Sequence, residues 1–161
     1  MTVLDQASLS AREWYRPSAS RSASQPSAHV SPARPARPQA ARSPAPWLSS
    51  VAARIQRLEA LDEGWDGYGS DPVNPDFARA VLRFLANEVW AITPRPEVTP
   101  TSEGGLSVSW QRTETTFELE FSPAGTVEVY VFDRRSSTEW EGDIRSLPDG
   151  IDKWAWRVAT G

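Results

Sequence analysis

The chain has 161 residues, a formal net charge of −4 and no cysteine. The lack of thiols excludes disulfide bonds, cysteine nucleophiles and cysteine-based zinc or iron–sulfur sites. No run of residues approaches the ~18 consecutive apolar positions of a membrane span. The N terminus has no apolar secretion-signal core, so we expect a cytoplasmic location.

Composition divides the chain into two parts. Residues 1–46 hold seven of the fourteen prolines and six arginines against two acids, a formal +4, whereas residues 47–161 carry −8 and seven of the eight tryptophans. The first part has too little apolar area to offset its ordering entropy, which predicts a disordered or extended arm joined to an acidic domain. The aromatic pair Trp14 and Tyr15 is a candidate anchor on a partner. Three arginines in the proline-rich part are further partner-binding candidates: Arg34, Arg37 and Arg42.

Two amphipathic helices are predicted to open the acidic domain. The first begins near Ser49 or Ser50, with serine as its N-cap, and ends at Leu61, because apolar residues recur every three or four positions. The second begins near Asn74, with asparagine as its N-cap and Pro75 at its first helical position. Its predicted buried stripe consists of Phe77, Val81, Phe84, Leu85, Val89 and Ile92.

The second half of the domain changes to a period of two. The segments LSVSW, FELEF and VEVYV predict three half-buried antiparallel strands, and residues 97–99 predict a short fourth strand. A slip of one residue would turn every apolar side chain to solvent, so parity defines the register. Phe121 is predicted to lie opposite Val127, and Trp110 opposite Phe117.

The polar face of these strands is acidic. The same register sets Glu120 opposite Glu128 and Glu118 opposite Tyr130, and opposed like charges cost up to about 1 kcal/mol. Such carboxylates are able to accept arginines in bidentate pairs or to hold a divalent cation, and a plain solvated surface is the simplest alternative. We interpret these four residues as partner-binding, and we expect no metal or other cofactor.

The last segment, GIDKWAWRVATG, fits two structures. A helix would present Ile151, Trp154 and Val158, with Asp149 near its start, whereas a strand would present Trp154, Trp156 and Val158. The helix is favoured. The predicted fold class is therefore α+β: a two-layer domain with two N-terminal helices packed on a three- to four-stranded antiparallel sheet, a C-terminal helix and the N-terminal arm.

The segment LDEGWDGYGSDP, between the two helices, has a catalytic and a structural interpretation. Asp66 with Tyr68 would be the catalytic pair, but no histidine, second close carboxylate or nucleophile motif accompanies it. The only histidine, His29, lies in the arm. Glycines that permit positive φ, an Asp-Gly turn and rings laid across the helix junction explain more. The predicted turn residues are Gly64, Trp65, Asp66, Gly67, Tyr68 and Gly69.

GWDGYGSDP, followed by EGGLSVSWQ and FELEFSPAGTVEVYV, resembles a group of small uncharacterised bacterial and phage proteins. They share a GWDGYGA turn, a strand of the form GG-x-x-x-x-W and an acidic hairpin. The match covers roughly residues 55–132 and departs at Ser70, where alanine is usual. The resemblance implies an accessory role in mobile elements, near phage or toxin–antitoxin modules, and implies no catalytic residues.

These features predict a non-enzymatic protein-interaction subunit whose arm orders on a partner. Its expected setting is a phage-related or other multi-subunit assembly, in the cytoplasm or in a phage particle, with copies of itself among the candidate partners. The alternatives are an antitoxin- or immunity-type inhibitor, whose acidic sheet face covers a basic site, and a metal-dependent enzyme. Membrane partners are not expected. Nucleic acid is disfavoured because the arm's arginines are sparse and no binding motif accompanies them.

Overall fold

The structure is a computed structural model that describes residues 44–89 and 92–160. Two helices come first, five strands follow, and a third helix ends the described chain. The elements are α1 (Leu48–Leu58), α2 (Pro75–Glu88), β1 (Glu97–Pro100), β2 (Leu106–Gln111), β3 (Thr115–Phe121), β4 (Val127–Asp133), β5 (Thr138–Asp143), a 3₁₀ turn (Ile144–Ser146) and α3 (Gly150–Thr160). The predicted α+β class is confirmed. No helix in the described ranges has both the length and the apolar content needed to cross a membrane.

The five strands form one antiparallel sheet in chain order. Phe121 pairs with Val127 and Trp110 pairs with Phe117, as the parity of the apolar residues predicts. These pairs confirm the predicted register. Its physical basis is that three apolar residues alternate without interruption in each of β2, β3 and β4. A one-residue slip in any of these strands would expose all three.

The sheet has five strands rather than the predicted three or four. The missed strand is β5, which pairs with β4 at the edge of the sheet. Its sequence TEWEGD contains one large apolar residue, Trp140, and that side chain is only partly buried. An edge strand that buries so little has no clear period-two pattern of apolar residues, and this is why it was missed.

One face of the sheet shares a hydrophobic core with the helices. The ring of Phe84 on α2 meets that of Phe121 edge-on, with centroids 5.2 Å apart, and Trp110 stacks on Phe117 at 5.3 Å. Just before α1, Trp47 contacts Trp110 at 6.5 Å. The strands contribute Val98, Leu106, Val108, Trp110, Phe117, Leu119, Phe121, Val127, Val129 and Val131, and the helices contribute Val51, Ile55, Leu58, Phe77, Val81, Leu85, Trp154 and Val158.

The ends of the first two helices differ in part from the prediction. At α2, Asn74 accepts hydrogen bonds from the amides of Asp76 and Phe77, which confirms the predicted cap. The predicted serine cap of α1 is wrong, because the helix begins at Leu48 and Ser50 donates back to the carbonyl of Trp47. The predicted end at Leu61 is also wrong, since the helix stops at Leu58.

Ile92 does not belong to the buried stripe of α2. The helix ends at Glu88, and Val89 has the extended angles φ −100° and ψ 133°. Ile92 is 54% exposed. The helical spacing of apolar residues continues in the sequence to Ile92, one turn beyond the end of α2. An apolar residue at the right spacing does not by itself show where a helix stops.

The C-terminal segment is a helix, as favoured. Trp154 and Val158 are buried, and Asp149 precedes the helix with a positive φ of 67°. Two arginine contacts hold α3 against the sheet: Arg157 forms an ion pair of 3.0 Å with Asp133, and Arg112 donates to the carbonyl of Val158.

Candidate functional site

The face of the sheet that points away from the core is lined with carboxylates. Paired residues of an antiparallel sheet share a face, so Glu128, which pairs with both Glu120 and Asp143, lies in a row of three acids across β3, β4 and β5. None of the residues of the five strands is lysine or arginine. We call this surface the acidic face; its acids are Glu97, Glu118, Glu120, Glu128, Glu139, Glu141 and Asp143.

A shallow depression of about 200 Å³ lies at the centre of the acidic face. Its rim is formed by Glu118, Glu120, Glu128, Tyr130 and Glu141. The first four are the residues predicted from the sequence to bind a partner, so the structure brings all four to one place. Their juxtaposition follows directly from the register of β3 and β4.

Glu120 is the carboxylate of this cluster whose ionised form is disfavoured by its surroundings. Partial burial raises its pKa above the ordinary value of 4.5, and repulsion from Glu128 and Glu118 raises it further. A raised carboxyl pKa means that the fold favours the protonated form. The ionised form of Glu120 therefore opposes folding at neutral pH instead of stabilising it.

Other acids of the face have local partners. Glu118 accepts a hydrogen bond of 2.6 Å from the Ser107 hydroxyl, and Glu139 accepts one of 3.2 Å from the Tyr130 hydroxyl. Asp143 forms a two-point ion pair with Arg145, and this contact lowers its pKa to about 2. Within the described chain, no ion pair reaches the central carboxylates Glu120 and Glu128.

The acidic face does not form a metal centre in the described ranges. Residues 44–89 and 92–160 contain no group of three or more histidine, aspartate or glutamate side chains placed to hold a metal ion. The carboxylates lie along the strands as pairs and rows, not around one point. A cationic side chain approaching from outside is better suited to this arrangement than a coordinated cation.

Several acids of the site were missed from the sequence, and several predicted residues lie elsewhere. Glu139, Glu141 and Asp143 join the face through β5, and the alternation of these acids is the sequence signal for that strand. The predicted arm residues lie outside the described residues: Trp14, Tyr15, Arg34, Arg37 and Arg42.

The segment between α1 and α2 is a turn built on glycines, as predicted. Gly64, Gly67 and Gly69 all have positive φ, between 74° and 88°. The carboxylate of Asp66 accepts hydrogen bonds from the amides of Tyr68 and Ser70. The Ser70 hydroxyl and these amides lower the pKa of Asp66, as expected for a carboxylate whose hydrogen bonds hold a turn.

The predicted packing of Tyr68 across the helix junction is wrong. Its side chain is 94% exposed, whereas Trp65 is partly buried. The bonds to Asp66 turn residues 67–69 outward, and a side chain at Gly67 or Gly69 would meet no atom within 4 Å. The ring therefore projects into solvent.

The turn docks on the β1–β2 connection. The amide of Asp71 donates to the carbonyl of Ser102, and Asp71 forms a bridge with Glu103. A Cβ on Gly104 would lie 2.9 Å from the carbonyl oxygen of Pro72, and one on Gly105 would lie 2.5 Å from that of Phe121. The GWDGYGS and EGG stretches are thus neighbours in space, held together by close backbone contact.

A comparison of the chain with models of known protein families, with curated proteins and with solved structures finds no match. The resemblance carried by GWDGYGSDP and the acidic hairpin therefore stays a prediction.

Proposed function

We propose that the chain is a non-enzymatic protein-interaction subunit, an accessory or structural component of a phage-related or other multi-subunit assembly. In this proposal the acidic face binds a basic surface of a partner protein. The proposal is supported by the row of Glu120, Glu128 and Asp143. Within residues 44–89 and 92–160, neither Glu120 nor Glu128 takes part in an ion pair. Opposed like charges cost free energy in the isolated domain, and a cationic partner recovers it.

The aromatic residues of the face support arginine as the partner's main contact. Tyr130 and Phe132 lie on the outward side of β4, both partly exposed. Tyr130 lies between Glu118 of β3 and Glu141 of β5, and Phe132 has Glu139 of β5 on one side. A guanidinium group stacks on an aromatic ring and at the same time forms two hydrogen bonds to a carboxylate. Aromatic residues surrounded by charged groups are also typical positions of high binding energy at protein interfaces.

The arm has a second role in the proposal. Residues 1–46 order on the same partner, with Trp14 and Tyr15 as anchors. This part rests on composition alone, since proline-rich basic segments pay their ordering cost at the moment of binding.

The test is co-purification of partners with the full 161-residue chain. We expect Glu120→Lys to reduce partner recovery about tenfold at low salt, because it replaces an attraction with a repulsion. The matched control is Glu88→Lys, which makes the same change at the end of α2, on the helical side of the sheet. Equal recovery with both variants would contradict the role of the acidic face. Deletion of residues 1–46 separates the two contacts: an unchanged set of partners would contradict the role of the arm.

An antitoxin- or immunity-type inhibitor is the second candidate. It is favoured by the absence of lysine and arginine from all five strands, because a uniformly acidic surface complements a basic catalytic site. Rescue of cells that express a gene-adjacent toxin, lost in Glu120→Lys and kept in Glu88→Lys, would favour this candidate over an assembly subunit.

A further inference from the structure

A second charged feature, of opposite sign, lies between α1 and β1. It is an open cleft of about 380 Å³, and three arginines line it: Arg54 and Arg57 from α1 and Arg95 from the segment before β1. Ser50 lies at one end of the helical wall, and Glu97 lies on the strand side. We call this cleft the arginine cleft. Arg54 and Arg95 are 41 positions apart in the sequence, so only the packing of α1 against β1 brings them together.

The arginines of the cleft form no ion pair with other residues of the part of the chain that the structure describes. Residues 47–161 carry a formal charge of −8, yet none of the five ion pairs of the described chain includes Arg54, Arg57 or Arg95. Arg57 lies in the last turn of α1, where the helix dipole favours a cation. The position of Arg95 has no such local reason. Three unpaired guanidinium groups around one cleft indicate an anionic ligand.

The cleft is held in shape by hydrogen bonds. Arg54 donates from Nε to the carbonyl of Val98, at 3.1 Å, which fixes its guanidinium group and leaves its terminal nitrogens available. The segment that carries Arg95 is held by two indole groups: Trp47 donates to Thr93 Oγ1 at 3.1 Å, and Trp110 donates to the carbonyl of Pro94 at 2.9 Å. The two arginines thus extend from anchored backbone, which lowers the entropy lost on binding.

We propose that the arginine cleft binds the phosphate group of a small ligand. Guanidinium groups match the geometry of phosphate oxygens, and a cleft of this volume is large enough for a nucleotide-sized molecule. A nucleic acid is disfavoured, because its chain of charges would extend over an acidic domain and be repelled there. Glu97 accepts a hydrogen bond from a hydroxyl or amino group of the ligand, beside the phosphate.

The test is a titration of the full 161-residue chain with inorganic phosphate and, separately, with a nucleoside monophosphate. Binding is followed through the Nε–Hε NMR signals of the arginines. We expect saturable shifts of Arg57 and Arg95, and at least a tenfold loss of affinity in the double variant Arg57→Gln/Arg95→Gln. This variant keeps Arg54 and its bond to Val98, so the fold is retained. The control is Arg83→Gln on the exposed side of α2, which should change the affinity less than twofold.

The two probes distinguish the source of the phosphate. Equal affinities support free phosphate, and a tenfold tighter nucleoside monophosphate supports a phosphorylated metabolite whose other atoms lie on the apolar floor formed by Val51, Pro96 and Val98. Non-saturable shifts, or equal weakening by Arg83→Gln, would overturn the proposal. Tighter binding of a single-stranded oligonucleotide than of either probe would also overturn it. Of the acids of the acidic face, Glu97 alone lines the cleft and neither variant changes it, so failure of this experiment and failure of the proposed function are distinguishable.

Discussion

The two faces of the sheet use the same strands for opposite purposes. In β3, the inward residues Phe117, Leu119 and Phe121 are fully buried, whereas the intervening Glu118 and Glu120 are turned to solvent among other carboxylates. The inner face has the alternating apolar pattern that folding requires. The outer face has a charge pattern that folding does not require, and its opposed carboxylates Glu120 and Glu128 lower stability at neutral pH. The outer face is therefore the candidate for function, because the fold does not explain its composition.

The largest expected effect is the loss of a core ring, and Phe121 and Phe132 form a matched pair for it. Phe121 is fully buried on the inner face, and Phe132 is partly exposed on the outer face. We expect Phe121→Ala to lower the free energy of unfolding by about 3–5 kcal/mol, because it leaves a cavity, and Phe132→Ala by less than about 1.5 kcal/mol. Urea denaturation measures both. Equal losses would contradict the division between the two faces.

The next largest effect on the free energy of unfolding is expected from replacing one of two aspartates. Asp133 is buried and contacts Arg157, while Asp143 lies at the margin of the acidic face beside Arg145. We expect Asp133→Asn to cost about 1–2 kcal/mol at pH 7 and Asp143→Asn less than about 1 kcal/mol, because solvent screens the exposed pair.

The pH dependence of these aspartates checks the same comparison. The Ser136 hydroxyl lowers the pKa of Asp133, and Arg145 lowers that of Asp143 to about 2. A lowered carboxyl pKa gives stability that is present above the ordinary value of 3.8 and is lost as the pH falls through the lowered value. The cost of each substitution should therefore shrink below pH 3.8. If the loss of unfolding free energy in these variants stayed constant down to pH 2, the charge of the aspartate would not be the source of the stability.

A smaller effect of opposite sign is expected at Glu120. Its pKa is raised by burial and by the neighbouring carboxylates, so its stabilising, protonated form is lost as the pH rises above 4.5. Glu120→Gln should raise the free energy of unfolding by about 0.5 kcal/mol at pH 7 and leave it unchanged below pH 4. Denaturation at the two pH values measures the difference. A destabilised variant at pH 7 would show that the acidic face supports the fold after all.

The smallest effect is expected at Tyr68. Because its ring is 94% exposed, Tyr68→Ala should change the free energy of unfolding by less than about 0.5 kcal/mol. Gly105→Ala is the contrasting change nearby, since a Cβ there would lie 2.5 Å from the carbonyl oxygen of Phe121. Thermal denaturation compares the two. A large loss in Tyr68→Ala would show that the turn depends on its ring as well as on its glycines.

The parts of the fold and of the site that could be predicted from the sequence are those that a local pattern of residues determines. Three alternating apolar residues per strand were enough for β2, β3, β4 and their register, and through the register for the meeting of Glu118, Glu120, Glu128 and Tyr130. Asn74 and Pro75 likewise marked the start of α2. These signals are read from neighbouring residues, and tertiary packing did not override them.

The rest depends on contacts that are distant in sequence. The edge strand β5 buries only part of Trp140, so its pattern is not distinctive. The direction of Tyr68 follows from hydrogen bonds to Asp66, which composition does not reveal. The arginine cleft joins a helix to a segment about 40 positions later, and only their packing creates it.

The central claim is that the acidic face binds a cationic surface, and an NMR titration of the full 161-residue chain with a synthetic arginine nonapeptide tests it most directly. We expect amide shifts centred on Glu118, Glu120, Glu128 and Tyr130, with affinity about tenfold lower in Glu120→Lys and unchanged in Glu88→Lys. Shifts centred elsewhere, or the same loss of affinity in both variants, would contradict it.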